Sequence, residues 1–286
     1  MASTVRRVTD VLLRAGETRA TVHPDYGCLI SSFAIGGVEF LYRREDAPSV
    51  LPPLGPPGRG SERDFDDGIF RGGWFPMFPV AGMPDDDTWQ HGWAPRVAWR
   101  VSQEQGTRLR TEVSGDFLDG GGAAVTRDIR VAPGILTVTT SITNRGTGVR
   151  SYTFGEHPCF PRALFAGGAV VSPRRLPVAA HADGWTGHAR WMAPSLTVAA
   201  PRGGPSVTVD AEGLPFGVLW SNYASEELPD VDCLAWEPCT SRGLGIVDAR
   251  ASRSVTSIRP GETQRYRVRI GGRPDAVSTM GPKEER

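Results

Sequence analysis

Three short stretches of the 286-residue chain set ionisable side chains among small neighbours. Residues 150–160 read RSYTFGEHPCF. In an extended strand, Tyr152, Phe154 and Glu156 face one way, and Ser151, Thr153, Gly155, His157 and Cys159 the other. A packed face needs bulk, so an imidazole in a row of Ser, Thr, Gly and Cys leaves room for something that is not side chain. Residues 233–238, CLAWEP, repeat the arrangement, with Glu237 beside Ala235 and Cys233 and turned away from Leu234 and Trp236. Pro238 has no N–H for a ladder, so pairing is expected to stop there and leave Glu237 at a strand end or rim, where a carboxylate reaches a pocket. Residues 90–96, QHGWAPR, bring His91 to the close of a long loop. Gly92 permits a tight approach, and Trp89 and Trp93 offer flat faces that suit a sugar ring or fill a core. An imidazole and a carboxylate turned to one hollow make an acid and a base. Histidine titrates at about 6.5 unaided, whereas a glutamate at about 4.3 gains basicity by partial burial.

The elements that must position these residues are strands. With 35 Gly and 24 Pro, helix breakers recur too often for bundles or coiled coils. Short runs rich in β-branched and aromatic residues recur instead, at 28–35, 97–102, 108–114, 125–131, 216–220, 254–258 and 265–270. The clearest is Ile135–Asn144, ILTVTTSITN, with Leu136, Val138 and Ile142 on one face. So many strands predict an all-β, antiparallel two-sheet architecture with few or no helices, in one domain over 1–272 followed by a polar tail at 273–286. Residues 47–87 are too rich in proline for central strands and read as a long loop, commonly a functional feature. Residues 173–205 also read as irregular.

Lys plus Arg equals Asp plus Glu at 32 each, so no summed field draws the chain to nucleic acid or an anionic membrane, and a small neutral partner suits the balance. Cys28, Cys159, Cys233 and Cys239 lack the paired spacing of a zinc or redox motif. His181, Asp183 and His188 have no evident strand to orient them, so no metal is expected. No leader or apolar run of membrane-spanning length is seen, and a cytoplasmic, reducing location is expected.

Taken in order, these segments resemble the aldose 1-epimerase (galactose mutarotase-like) superfamily across most of the chain. YGCLISSFAIGGVEFLY (26–42) resembles its opening hairpin, RGGWFPMFP (71–79) the loop before its first histidine, HGWAPR and GEHPCF its two histidine motifs, CLAWEP its glutamate segment, and IRPGETQRYRVRI (258–270) its closing strand. The resemblance implies a large antiparallel β-supersandwich and interconversion of the α and β anomers of a hexose, with Glu237 as base, His157 as acid and no cofactor. It implies His91, Arg71, Trp74 and Arg96 as substrate-binding residues. HGWAPR departs from the commoner motif by a proline before Arg96. The family's sugar-gripping aspartate has no clear match, Asp183 in HADGW being the nearest. Arg71 with Gly72 and Gly73 is similar to the hexose-6-phosphate branch, in which an arginine meets the phosphate. The expected partner is therefore a sugar or sugar phosphate, bound by a monomer or homodimer. A non-catalytic carbohydrate-binding or regulatory module, and a tailoring enzyme using the same pair on another substrate, are the alternatives, since fold does not fix function.

Overall fold

The computed structural model describes residues 10–45, 49–165, 170–172, 176–177, 183–191, 195–199 and 205–274. Within them, two nine-stranded sheets and a two-stranded ribbon carry the fold, and strand neighbours in each run antiparallel. The first sheet runs in the order Val11–Ala15, Thr18–His23, Leu29–Ile35, Trp74–Met77, Gly155–Pro161, Asp232–Cys239, Phe216–Tyr223 and Trp185–Trp191, with Val38–Glu39 beside Leu29–Ile35. The long strands Arg108–Phe117, Gly120–Ala132, Ile135–Asn144 and Thr263–Arg273 form the middle of the second.

Alternation divides the side chains into two layers. Leu136, Val138 and Ile142 of the second sheet pack with Phe160, Leu234 and Trp236 of the first in a common buried core. The other face of the first sheet carries Cys159, Cys233, Ala235 and Cys239, packed with Tyr26, Phe65, Phe70 and Phe75 into a separate cluster. Glu156 and His157, adjacent in sequence, therefore lie on opposite sides of the sheet.

Glu156 enters the layer between the sheets, where Trp74 Nε1 and Arg127 donate to its Oε2 at 2.7 Å each and Thr140 donates to its Oε1 at 2.7 Å. Arg127 also donates to the Cys28 carbonyl at 2.6 Å. Arg127 is fully buried and Glu156 almost so, so this charge pair survives only because its hydrogen-bonding capacity is nearly filled.

Three segments differ from the sequence expectation. Within 47–87, expected to hold no central strand, Trp74–Met77 is one, paired with Leu29–Ile35 on one side and Gly155–Pro161 on the other; its single proline, Pro76, does not stop its neighbours from pairing. Within the expected loop at 47–87, Ser61–Gly68 is an α-helix with Glu62 and Asp64 in its first turn, a placement that complements the positive end of the helix dipole. Ser61 and Phe65, four residues apart, are its buried side chains. Within 173–205, Trp185–Trp191 is a strand paired along its length with Phe216–Tyr223. Residues 275–286 of the expected tail, and His181, lie outside the described residues. No described helix is long and apolar enough to cross a membrane.

Candidate active site

His157 and Glu237 meet across neighbouring strands. The register that pairs Gly155 with Cys239 and Cys159 with Ala235 sets His157 opposite Glu237, on the face away from the second sheet. His157 Nε2 lies 3.4 Å from Glu237 Oε1, and both side chains are more than nine-tenths buried. The strand does not end at Pro238, as expected, but continues to Cys239, with Pro238 opposite Gly217. Glu237 is thus a mid-strand residue, since the one N–H that proline lacks does not stop its neighbours from pairing.

Aromatic rings hold the imidazole. Phe75, its cross-strand partner, stacks on it with centroids 4.5 Å apart and planes 16° from parallel. His91 and Phe70 meet it edge-on at 5.1 and 6.3 Å. On its other side, Nδ1 lies 3.3 Å from Cys159 Sγ.

His91 sits at φ +59°, its N–H donating to the Gly82 carbonyl at 2.9 Å while its carbonyl accepts from Phe78 N–H at 3.1 Å. Gly92, at φ +72°, completes this reversal with no room for a side chain, since a Cβ there would lie 2.1 Å from the Phe78 carbonyl oxygen. Gly92→Ala is expected to destabilise the fold by more than about 1 kcal/mol, because both the dihedral and the backbone contact oppose it; thermal unfolding measures this. Burial, reinforced by charge on His157, Arg96 and His188, holds His91 well below the ordinary histidine range, so it faces the cleft as a neutral imidazole. Its Nδ1 and the Gln90 Oε1 beside it are buried without a protein partner.

Asp66, from the helix Ser61–Gly68, closes the opposite wall. Burial raises its pKa to about 7, helped by the charges of Asp67 and Glu62 and opposed by Arg44 and His157. An unfolded aspartate titrates at about 3.9, so between these values the folded chain holds a proton that the unfolded chain has released. This contribution to stability is full below about pH 4 and lost as pH rises through about 7. Asp66→Asn is therefore expected to match the parent near pH 4 and exceed it in stability at pH 8, read from urea unfolding at both pH values.

These residues, with Trp220, Val218 and His188, bound a cleft of about 50 Å³.

No protein-family model matches the chain, and no curated sequence does. Solved structures do. The Slr1438 protein of Synechocystis sp. PCC 6803 superimposes with a TM-score of 0.70 at 18% identity, over 96% of this chain and 99% of that one. A galactose mutarotase related enzyme from Lactobacillus acidophilus gives 0.69 at 13% identity, over 93% and 98%. A galactose mutarotase-like protein from Lactobacillus casei ATCC 334 gives 0.66 at 14% identity, over 93% and 100%. The chain has the galactose mutarotase-like fold.

On this galactose mutarotase-like scaffold, His157, Glu237 and His91 come together, whereas four other residues expected at the site stand elsewhere. Trp74 is fully buried and faces the inter-sheet layer, where it serves Glu156; its neighbour Phe75 takes the cleft side. Arg71 lies over the Tyr26 ring at 4.7 Å and does not line the cleft. Arg96 is buried, donating to the carbonyls of Gly92, Ser61 and Gln90 at 3.2, 3.0 and 3.3 Å, so it clamps the helix to the His91 turn. Asp183 is exposed and pairs with Arg162 at 2.9 Å. Asp66, Gln90, Phe70 and Trp220 line the cleft without having been singled out in sequence. For Asp66 a signal existed: Ser61, Phe65 and Ile69 recur every four residues behind an acidic first turn, which is a helix start.

Proposed function

We propose that the protein is an aldose 1-epimerase acting on an unphosphorylated hexose. The observation that carries this reading is the approach of His157 Nε2 to Glu237 Oε1, at 3.4 Å, inside one cleft. In a cyclic aldose the anomeric hydroxyl and the ring oxygen are bonded to the same carbon, so two groups this close reach both. Glu237 takes the proton of the anomeric hydroxyl while His157, in its imidazolium form, gives its Nε2 proton to the ring oxygen. The ring opens, the aldehyde turns about the C1–C2 bond, and closure on the other face returns both protons. His91 Nδ1 and Gln90 Oε1 are available to the sugar hydroxyls, and Trp220 and Phe70 offer faces for its C–H surface. Since the cleft is about 50 Å³ as it stands, entry of a sugar ring requires lining side chains to move apart.

The charge of the cleft supports a free sugar. Among the described residues its wall holds the Glu237 carboxylate and no arginine or lysine, so a phosphate dianion would find no guanidinium or ammonium to bind it, only the imidazolium that the reaction itself needs. Anomer exchange followed by NMR or polarimetry tests the reading. Acceleration with free hexoses and little with their 6-phosphates is expected. No acceleration with any hexose would overturn the enzymatic assignment, and a preference for phosphates would overturn the substrate.

A further inference from the structure

We propose that Cys159 is the positioning residue for His157, its thiol serving Nδ1 as hydrogen-bond donor when the ring is neutral and as acceptor when the ring is protonated. The inference rests on the acid role given to His157 above. In the neutral ring one nitrogen alone carries hydrogen. Nε2 faces the Glu237 carboxylate at 3.4 Å, an acceptor, which assigns the hydrogen to Nε2 and leaves Nδ1 as a lone pair. The group 3.3 Å from that lone pair is Cys159 Sγ, which must then give its S–H. When the ring is an imidazolium both nitrogens donate, and Nδ1–H turns to the sulfur. The thiol hydrogen then has the His157 carbonyl, 3.9 Å away, as an outlet. A carbonyl or carboxylate in place of the sulfur could only accept, and would hold the proton on Nδ1 throughout.

Cys159 is suited to this by rigidity and chemistry. Its N–H donates to the Gly73 carbonyl and its carbonyl accepts from Tyr42, each at 2.8 Å, so the backbone that carries the sulfur is held at both of its polar groups. Burial, with Cys233 and the charge of Glu237 acting alike, pushes the thiol well above its usual range, so it keeps its hydrogen. The titratable groups sharing the cleft with His157 are Glu237, His91, Asp66 and His188.

The test compares the full-length parent with Cys159→Ser and Cys159→Ala. Serine, which also gives and takes a hydrogen bond, is expected to keep kcat within about 3-fold. Alanine is expected to lower it roughly 10-fold with KM unchanged, the scale of one neutral hydrogen bond. Independently of turnover, the infrared S–H band lost in Cys159→Ala is expected to shift in the parent as His157 is protonated, followed by ring nitrogen NMR on the same samples. A band that ignores the ring's protonation, or an alanine variant with the parent's kcat, would overturn the proposal. Absence of anomer exchange in the parent would instead defeat the enzymatic reading, while the band would still decide whether sulfur and ring share a hydrogen.

Discussion

Glu237→Gln is expected to slow anomer exchange by about 100-fold to 10,000-fold, the range that one positioned acid or base contributes. The substitution keeps the side chain's length and removes its ability to take a proton. His157→Asn is expected to cost a similar factor, and the double variant little more than the worse single one, because an acid and a base working in one proton exchange lose their value together. Initial rates by polarimetry measure all three, and thermal unfolding checks that the folds are intact. An active Glu237→Gln variant would remove the carboxylate from the chemistry, however close it stands to His157.

Beneath the site, the largest stability effect is expected at Arg127. Arg127→Met would leave the Glu156 carboxylate in the inter-sheet layer without its cation, and removing one partner of such a buried pair costs about 3–5 kcal/mol. The companion variant Arg127→Met with Glu156→Leu is expected to recover most of that loss, because two apolar side chains in close packing need no partner. Burial already raises the Glu156 pKa, against the opposing pull of Arg127, Thr140 and Trp74. Without the arginine it rises further. A raised carboxyl stabilises the fold while protonated and ceases to do so as pH climbs through its folded pKa, so the deficit of Arg127→Met should grow with pH. Urea unfolding at several pH values gives both quantities.

How far the site was legible in sequence depended on what alternation alone could settle. Within one strand, period two separates Glu156 from His157, and the structure places them on opposite faces. Which of two adjacent residues faces the cleft from a different strand depends on register, which the sequence does not contain. Trp74 was expected at the site, but pairing His157 with Phe75 and Pro158 with Trp74 gives that side to Phe75. Glu237 was expected at a rim because of Pro238, yet tertiary pairing on both flanks overrode the local breaker. The arginines were the least legible. Arg71 and Arg96 stand beside glycine-rich and histidine motifs, and only coordinates reveal that one lies over an aromatic ring and the other holds backbone carbonyls.

That last arrangement ties one wall of the cleft to another. Through Arg96, a single side chain grips both the first residue of the helix bearing Phe65 and Asp66 and the turn bearing His91. The wall that carries Asp66 and the imidazole of His91 therefore hold their places jointly, since displacing either would strain the guanidinium contacts of the other. The spacing of the two is thereby set by one buried arginine, from outside the sheet that holds the proton-exchanging pair.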